Sequence, residues 1–209
     1  MRSIVVLYLC ILCCPLNLHA QQREFPIYNI PDSVAVLYTR ESTFSEIPIP
    51  RVLGDTFRLL SPQLLAVMPI DGPQEVRLKS LISLFTGVGY ENNLCAKELF
   101  ILGEVQHKSV DNLCTILVIE EGSSLECGPS RIMYGFNLKD GYITSLHEVA
   151  ADVHLVSRYV SWSAMDFPVY PCFQYYYQTV YEDTVEEPHE ETVRLIIGKD
   201  GKMRGVRIP

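Results

Sequence analysis

The sequence predicts a mainly β, antiparallel domain of about eight strands, built as a barrel or a two-layer sheet, with short helices in its N-terminal part. Three observations carry this. Apolar residues alternate with others at Ile132, Tyr134, Phe136 and Leu138, the period-two pattern of a half-buried strand. Lys139-Asp140-Gly141 and Lys199-Asp200-Gly201 each separate two such runs, and Asp-Gly tolerates the positive φ of a tight hairpin turn. The connections are short, so consecutive strands are antiparallel neighbours, since a parallel pair needs a long crossover.

In chain order, residues 21–93 form an N-terminal segment that packs on the sheet of residues 94–209, the two making one domain. Prolines interrupt Phe25-Pro26-Ile27-Tyr28 and Ile47-Pro48-Ile49-Pro50, which read as edge or extended loop, leaving Ser33 to Tyr38 as the one good strand. Leu53, Phe57, Leu60, Leu64 and Met68 recur at helical spacing. Ser61-Pro62, an N-cap with a first-turn proline, splits them into two short helices. Asp71-Gly72-Pro73 reads as a turn, and Val76 to Phe85 fits helix or strand equally. Strands follow at Ala96 to Val105, Asn112 to Glu120, 132–138, Tyr142 to Ala150, Val153 to Ser163, Cys172 to Tyr181, Thr192 to Ile197 and Met203 to Ile208. No repeat of fixed period runs along the chain.

The first 20 residues read as a signal peptide: Arg2, an apolar run from Ile4 to Cys14, Pro15, then Ala20 as the cleavage position. Leu18, three residues before that cut, is larger than the pattern prefers. The run is shorter than the roughly 20 residues a spanning helix needs, and no transmembrane segment is expected after cleavage. Cys13 and Cys14 follow Leu12 and Cys13 rather than a small residue, against lipidation. The expected location is therefore exported: periplasmic, cell-surface or extracellular. Of the 7 cysteines, Cys95, Cys114, Cys127 and Cys172 lie beyond the leader, enough for two disulfides. Matching strand ends in the meander favours Cys95 with Cys127 and Cys114 with Cys172, because a bridge needs α-carbons within about 7 Å.

The net charge of -8 leaves no cationic footprint for nucleic acid. Tyr170, Phe173, Tyr175, Tyr176, Tyr177 and Tyr181, with Trp162 and Phe167, concentrate rings in the last third. Such a strand shows rings to both faces, and one face could meet a ligand, which makes Trp162, Tyr170, Tyr175, Tyr176 and Tyr177 the candidate binding residues. Glu182, Asp183, Glu186, Glu187, Glu190 and Glu191 crowd one connection around His189. It lacks the glycine and fixed spacing of a calcium loop and reads as a solvated, self-repelling segment. His147, Asp152 and His154 have no recognised metal or acid–base spacing. Gly122-Ser123-Ser124-Leu125 lacks the last glycine of a nucleophile elbow and reads as a turn. Thr86-Gly87-Val88-Gly89-Tyr90 reads as a hinge or turn, with no lysine for a phosphate loop. No catalytic residue, metal or cofactor is assigned.

The signal segment followed by Gln21-Gln22, with the strand, Lys-Asp-Gly, strand endings, resembles small exported proteins of Gram-negative gut bacteria. The resemblance implies a periplasmic or cell-surface setting, with a eukaryotic secreted origin still open, and carries no site residue. The expected function is a non-catalytic binding or accessory module for an unknown protein, small-molecule or glycan ligand. An exported hydrolase and a calcium-stabilised structural protein are the alternatives.

Overall fold

The computed structural model describes residues 27–38, 68–87, 97–107, 109–124, 128–154, 158–166, 172–180 and 189–208. Its elements are β1 (Ile27–Asn29), β2 (Val36–Leu37), β3 (Met68–Pro69), α1 (Gly72–Thr86), β4 (Lys97–Gln106), β5 (Leu113–Ser124), β6 (Gly128–Lys139), β7 (Tyr142–His154), β8 (Arg158–Asp166), β9 (Cys172–Val180), β10 (His189–Ile197) and β11 (Met203–Arg207). The protein is mainly β and antiparallel. From β4 to β11 each strand pairs with the next, β3 joins at the β4 edge, and β1 and β2 pair with the first half of β7. The order ends at β3 and β11 without closing, which corrects the barrel alternative.

The turns follow from local chemistry. Between β6 and β7, Asp140 and Gly141 take φ of 53° and 85°, the paired positive values of a two-residue hairpin turn whose twist matches its strands. Asn112, also at positive φ, accepts from the Asp140 N–H at 3.1 Å and donates to its carboxylate at 2.9 Å, joining two neighbouring turns. Between β10 and β11 the Gly198 N–H donates to Lys202 O, and Asp200 Oδ1 accepts from Lys202 N. Gly201 closes that turn at φ 80°, and a Cβ there would lie 2.4 Å from Thr144 Oγ1. Gly201→Ala should therefore lower stability by about 2 kcal/mol or more, from the left-handed conformation and the clash together, read as a drop in the urea midpoint.

The helix begins where the sequence suggests only a turn. Asp71 is its extended N-cap residue, Pro73 sits in the first turn, where its missing N–H costs nothing, and Gly87 closes it at φ 70° with its N–H on Ser83 O. Leu78, Leu81, Ile82 and Phe85 bury one face, and this settles the ambiguous 76–85 stretch as helix. Met68, read as the last residue of a helical pattern, belongs to β3 opposite Ile101. The remaining residues of the two expected helices, 53–67, lie outside the described residues. Near the start, β1 is a short strand paired with β7 in a stretch read as edge or extended loop, and of Ser33 to Tyr38 only Val36 and Leu37 pair.

Two apolar clusters lie on opposite faces of the central strands. On one face the helix packs its buried residues on Leu99, Ile101, Ile116, Val118, Tyr134, Phe136 and Leu146. On the other, Val193, Leu195, Ile197 and Met203 of the β10–β11 hairpin pack with Val105, Leu117, Ile119, Met133 and Val149. Helix, central strands and hairpin thus form three layers. The alternating 132–138 strand is covered on both faces: Met133, Gly135 and Asn137, which look like its solvent side, are buried.

Candidate functional site

The hairpin side of the central strands carries a row of buried polar groups. Register places Thr115 of β5 opposite Asn137 of β6, and Asn137 opposite Ser145 of β7. Cross-strand partners share a face, so their side chains meet in one line. Thr115 Oγ1 donates to Asn137 Oδ1 at 2.6 Å, Asn137 Nδ2 donates to Ser145 Oγ at 2.8 Å, and Ser145 Oγ donates to the Gly201 carbonyl at 2.8 Å. Thr144 Oγ1 reaches the same carbonyl at 2.9 Å. At the other end His107 Nε2 lies 2.6 Å from Thr115 Oγ1. The single threonine proton is committed to Asn137, so His107 must donate, which fixes its tautomer with the proton on Nε2. Every link then runs one way, from the imidazole across three strands to the hairpin turn.

His147 lies beside this row, fully buried, with its ring against Gly135. A Cβ on Gly135 would come within 2.3 Å of the ring. The missing side chain is what makes room for the imidazole. Burial pushes His147 down to about 3; the charge of His107 adds to this, and a hydrogen bond to the Gly135 backbone opposes it. Burial holds His107 down at about 4. Both rings are neutral at pH 7.

The residues expected to bind a ligand are only partly brought together. Trp162 of β8 is opposite Tyr176 of β9, and Tyr176 opposite Thr192 of β10, so these three positions share one face. Tyr175 and Tyr177 fall on the other face, opposite Ser163 and Val193 and opposite Ser161 and Glu191; Ser161 and Val193 are buried. Tyr170 lies outside the described residues.

His147 is closed off from solvent, Asp152 pairs in register with Arg131 and Val160, and His154 ends β7 opposite Arg158. Gly122, Ser123 and Ser124 are strand residues opposite Ser130, Pro129 and Gly128, which corrects the expected turn. Gly87 is the helix C-cap, and 88–90 lie outside the described residues. So does most of the acidic connection; Glu190 and Glu191 begin β10. Among the described residues no group of three His, Cys, Asp or Glu side chains is placed to hold a metal.

No disulfide is present among the described residues; Cys95 and Cys127 lie outside them, and Cys172 pairs through its backbone with Asp166 and Ile196. No described helix is long and apolar enough to cross a membrane. The leader and its expected cleavage position precede the described residues.

Sequence reasoning missed Thr115, Asn137, Ser145 and His107. The signal was present in β5, where Ile116-Leu117-Val118-Ile119 is a continuous apolar run. A strand that is apolar on both sides is covered on both sides, and its neighbours' polar residues must then find partners inside.

The arrangement defines a class, an antiparallel sheet layered between a helix and its own C-terminal hairpin, with a polar seam under the hairpin. Beyond that class, no protein-family model, curated protein or solved structure matches the chain.

Proposed function

We propose that the chain is an exported, non-catalytic binding or accessory module that offers the Trp162–Tyr176–Thr192 row to a glycan, small-molecule or protein ligand. The carrying observation is the register of β8, β9 and β10, which aligns an indole, a phenol and a hydroxyl position across three neighbouring strands. Exposed Arg194 lies two residues along β10 on the same face, giving the row a cation at its side. Aromatic residues offer large rigid area with a polar handle, which suits stacking on a sugar ring or a peptide. Positions 175 and 177 fall on the opposite face, that of buried Val193. Export rests on the leader pattern of residues 1–20.

Trp162 is the one tryptophan of the chain, so its emission reports on this face alone. Acrylamide should quench it readily, and titration with a panel of oligosaccharides and peptides should find a ligand that shifts it. Tyr176→Ala and Arg194→Ala should each weaken that ligand about tenfold, roughly 1.4 kcal/mol, with the urea midpoint little changed. Blue-shifted emission that acrylamide cannot reach would overturn the reading.

A further inference from the structure

The net charge of -8 is unevenly spread along the chain. From residue 192 to the end stand Arg194, Lys199, Lys202, Arg204 and Arg207 against a single acid, Asp200. Lys202 pairs with Asp32, and Asp200 caps its own turn at Lys202 N. Arg194, Lys199 and Arg204 are exposed, and no ion pair among the described residues engages them.

Register puts these three cations on one surface. Val193, Leu195 and Ile197 turn into the core under the hairpin, so Thr192, Arg194 and Ile196 fall on its outer face. Arg194 is opposite Val206 and Ile196 is opposite Arg204, which sets the two arginines on a diagonal with half-buried Ile196 and exposed Val206 between them. Beside the turn, Ile196, Ile197, Gly198, Lys199, Asp200 and Arg204 line an open depression of about 430 Å³. Cations on β11 alone would be accounted for by its place at the end of the sheet, where charge discourages a second chain from pairing. Arg194 has no such duty, because β10 lies between β9 and β11, and Lys199 belongs to the turn.

We propose that the outer face of the β10–β11 hairpin binds an acidic oligosaccharide, carboxylated or sulfated, with its acid groups laid along Arg194, Arg204 and Lys199. The inference rests on the Trp162–Tyr176–Thr192 row as a ligand surface and adds the class of ligand. Thr192 precedes Arg194 by two residues on the same face, a step of about 7 Å along a strand, and Arg204 stands one such step further on, at the level of Ile196. A sugar ring over the row brings an acid group to Arg194, and the next rings of an extended chain run on to Arg204 and Lys199. Guanidinium presents paired N–H donors that match the oxygens of an oxyanion. Ile196 and Val206, between the cations, give the apolar face of a ring something to rest on. The remainder of the chain is net acidic and repels a long polyanion, which suits a short acidic stretch and not a nucleic-acid backbone. An acidic peptide would meet the cations without using the aromatic positions.

The full chain is titrated at pH 7 by calorimetry and by Trp162 emission with hexagalacturonate, a sulfated hexasaccharide, neutral cellohexaose, hexaglutamate and a short single-stranded oligonucleotide. One of the two acidic sugars should bind at least about tenfold more tightly than each of the other three probes and shift the emission; which one it is tells carboxylate from sulfate. Its affinity should fall about fivefold or more between 50 and 300 mM NaCl, since exposed charges are screened. Lys199→Ala and Arg204→Ala should each weaken it about three- to fivefold, and the double variant about tenfold or more, with urea midpoints little changed. Lys79→Ala, which removes a cation from α1, should leave it unchanged. Equal binding of cellohexaose and the acidic sugars would overturn the proposal and leave the row standing as a neutral-sugar surface. No binding of either acidic sugar, binding of hexaglutamate or the oligonucleotide at least as tight, or full affinity in the double variant would also overturn it. Binding of an acidic sugar with Trp162 emission unmoved and Tyr176→Ala affinity intact would remove the row, and the sugar as ligand with it.

Discussion

Phe136→Ala should destabilise the chain by about 3–5 kcal/mol, the cost of emptying a large buried site that cannot collapse. Phe136 has no exposed surface and stands between Ile116 and Leu146 in register, under the buried face of α1. Beside it, Phe85 of the helix meets Tyr134 edge-on, with centroids 5.9 Å apart and planes at 86°. Helix and strand share this one apolar cluster, so the cavity loosens both together. Urea unfolding should show a midpoint lower by about 1–2 M with helical and sheet signals still coincident. A change below about 1.5 kcal/mol would mean that α1 does not rest on this residue.

Asn137→Ala should cost about 2–5 kcal/mol, because it breaks the polar row at its centre. The Thr115 hydroxyl loses its acceptor and Ser145 loses its donor, and each orphaned buried group costs about 1–3 kcal/mol. Asn137→Leu combined with Thr115→Val and Ser145→Ala removes those partners as well and orphans one group, the His107 Nε2–H, in place of two, so the triple variant should be more stable than Asn137→Ala alone. That reversal separates unsatisfied polarity from lost packing. If the triple variant is the weaker one, the row contributes to stability directly, beyond satisfying its own members.

Which parts could be read from the sequence follows from what each feature depends on. Asp140-Gly141 and Asp200-Gly201 were legible because Asp-Gly tolerates the positive φ that Asp140, Gly141 and Gly201 take. The meander was legible because adjacent strands with short turns have only one way to pair. Asp71-Gly72-Pro73 was misread because the same residues that favour a turn also start a helix, and only the buried stripe from Leu78 to Phe85 separates the two outcomes. Trp162 and Tyr176 were legible as rings. That their positions align, with positions 175 and 177 on the other face, required the register.

By itself the sequence determined the two Asp-Gly turns, the strand period and the antiparallel class, since these are settled by neighbours along the chain. The tertiary structure alone decided that Gly135 and Asn137 face a covered interior, that His147 fits because Gly135 has no side chain, and that Gly201 receives the end of the polar row. Burial of one face of a strand depends on what packs there, and here that is a hairpin far along the chain. No local preference of β6 can anticipate it.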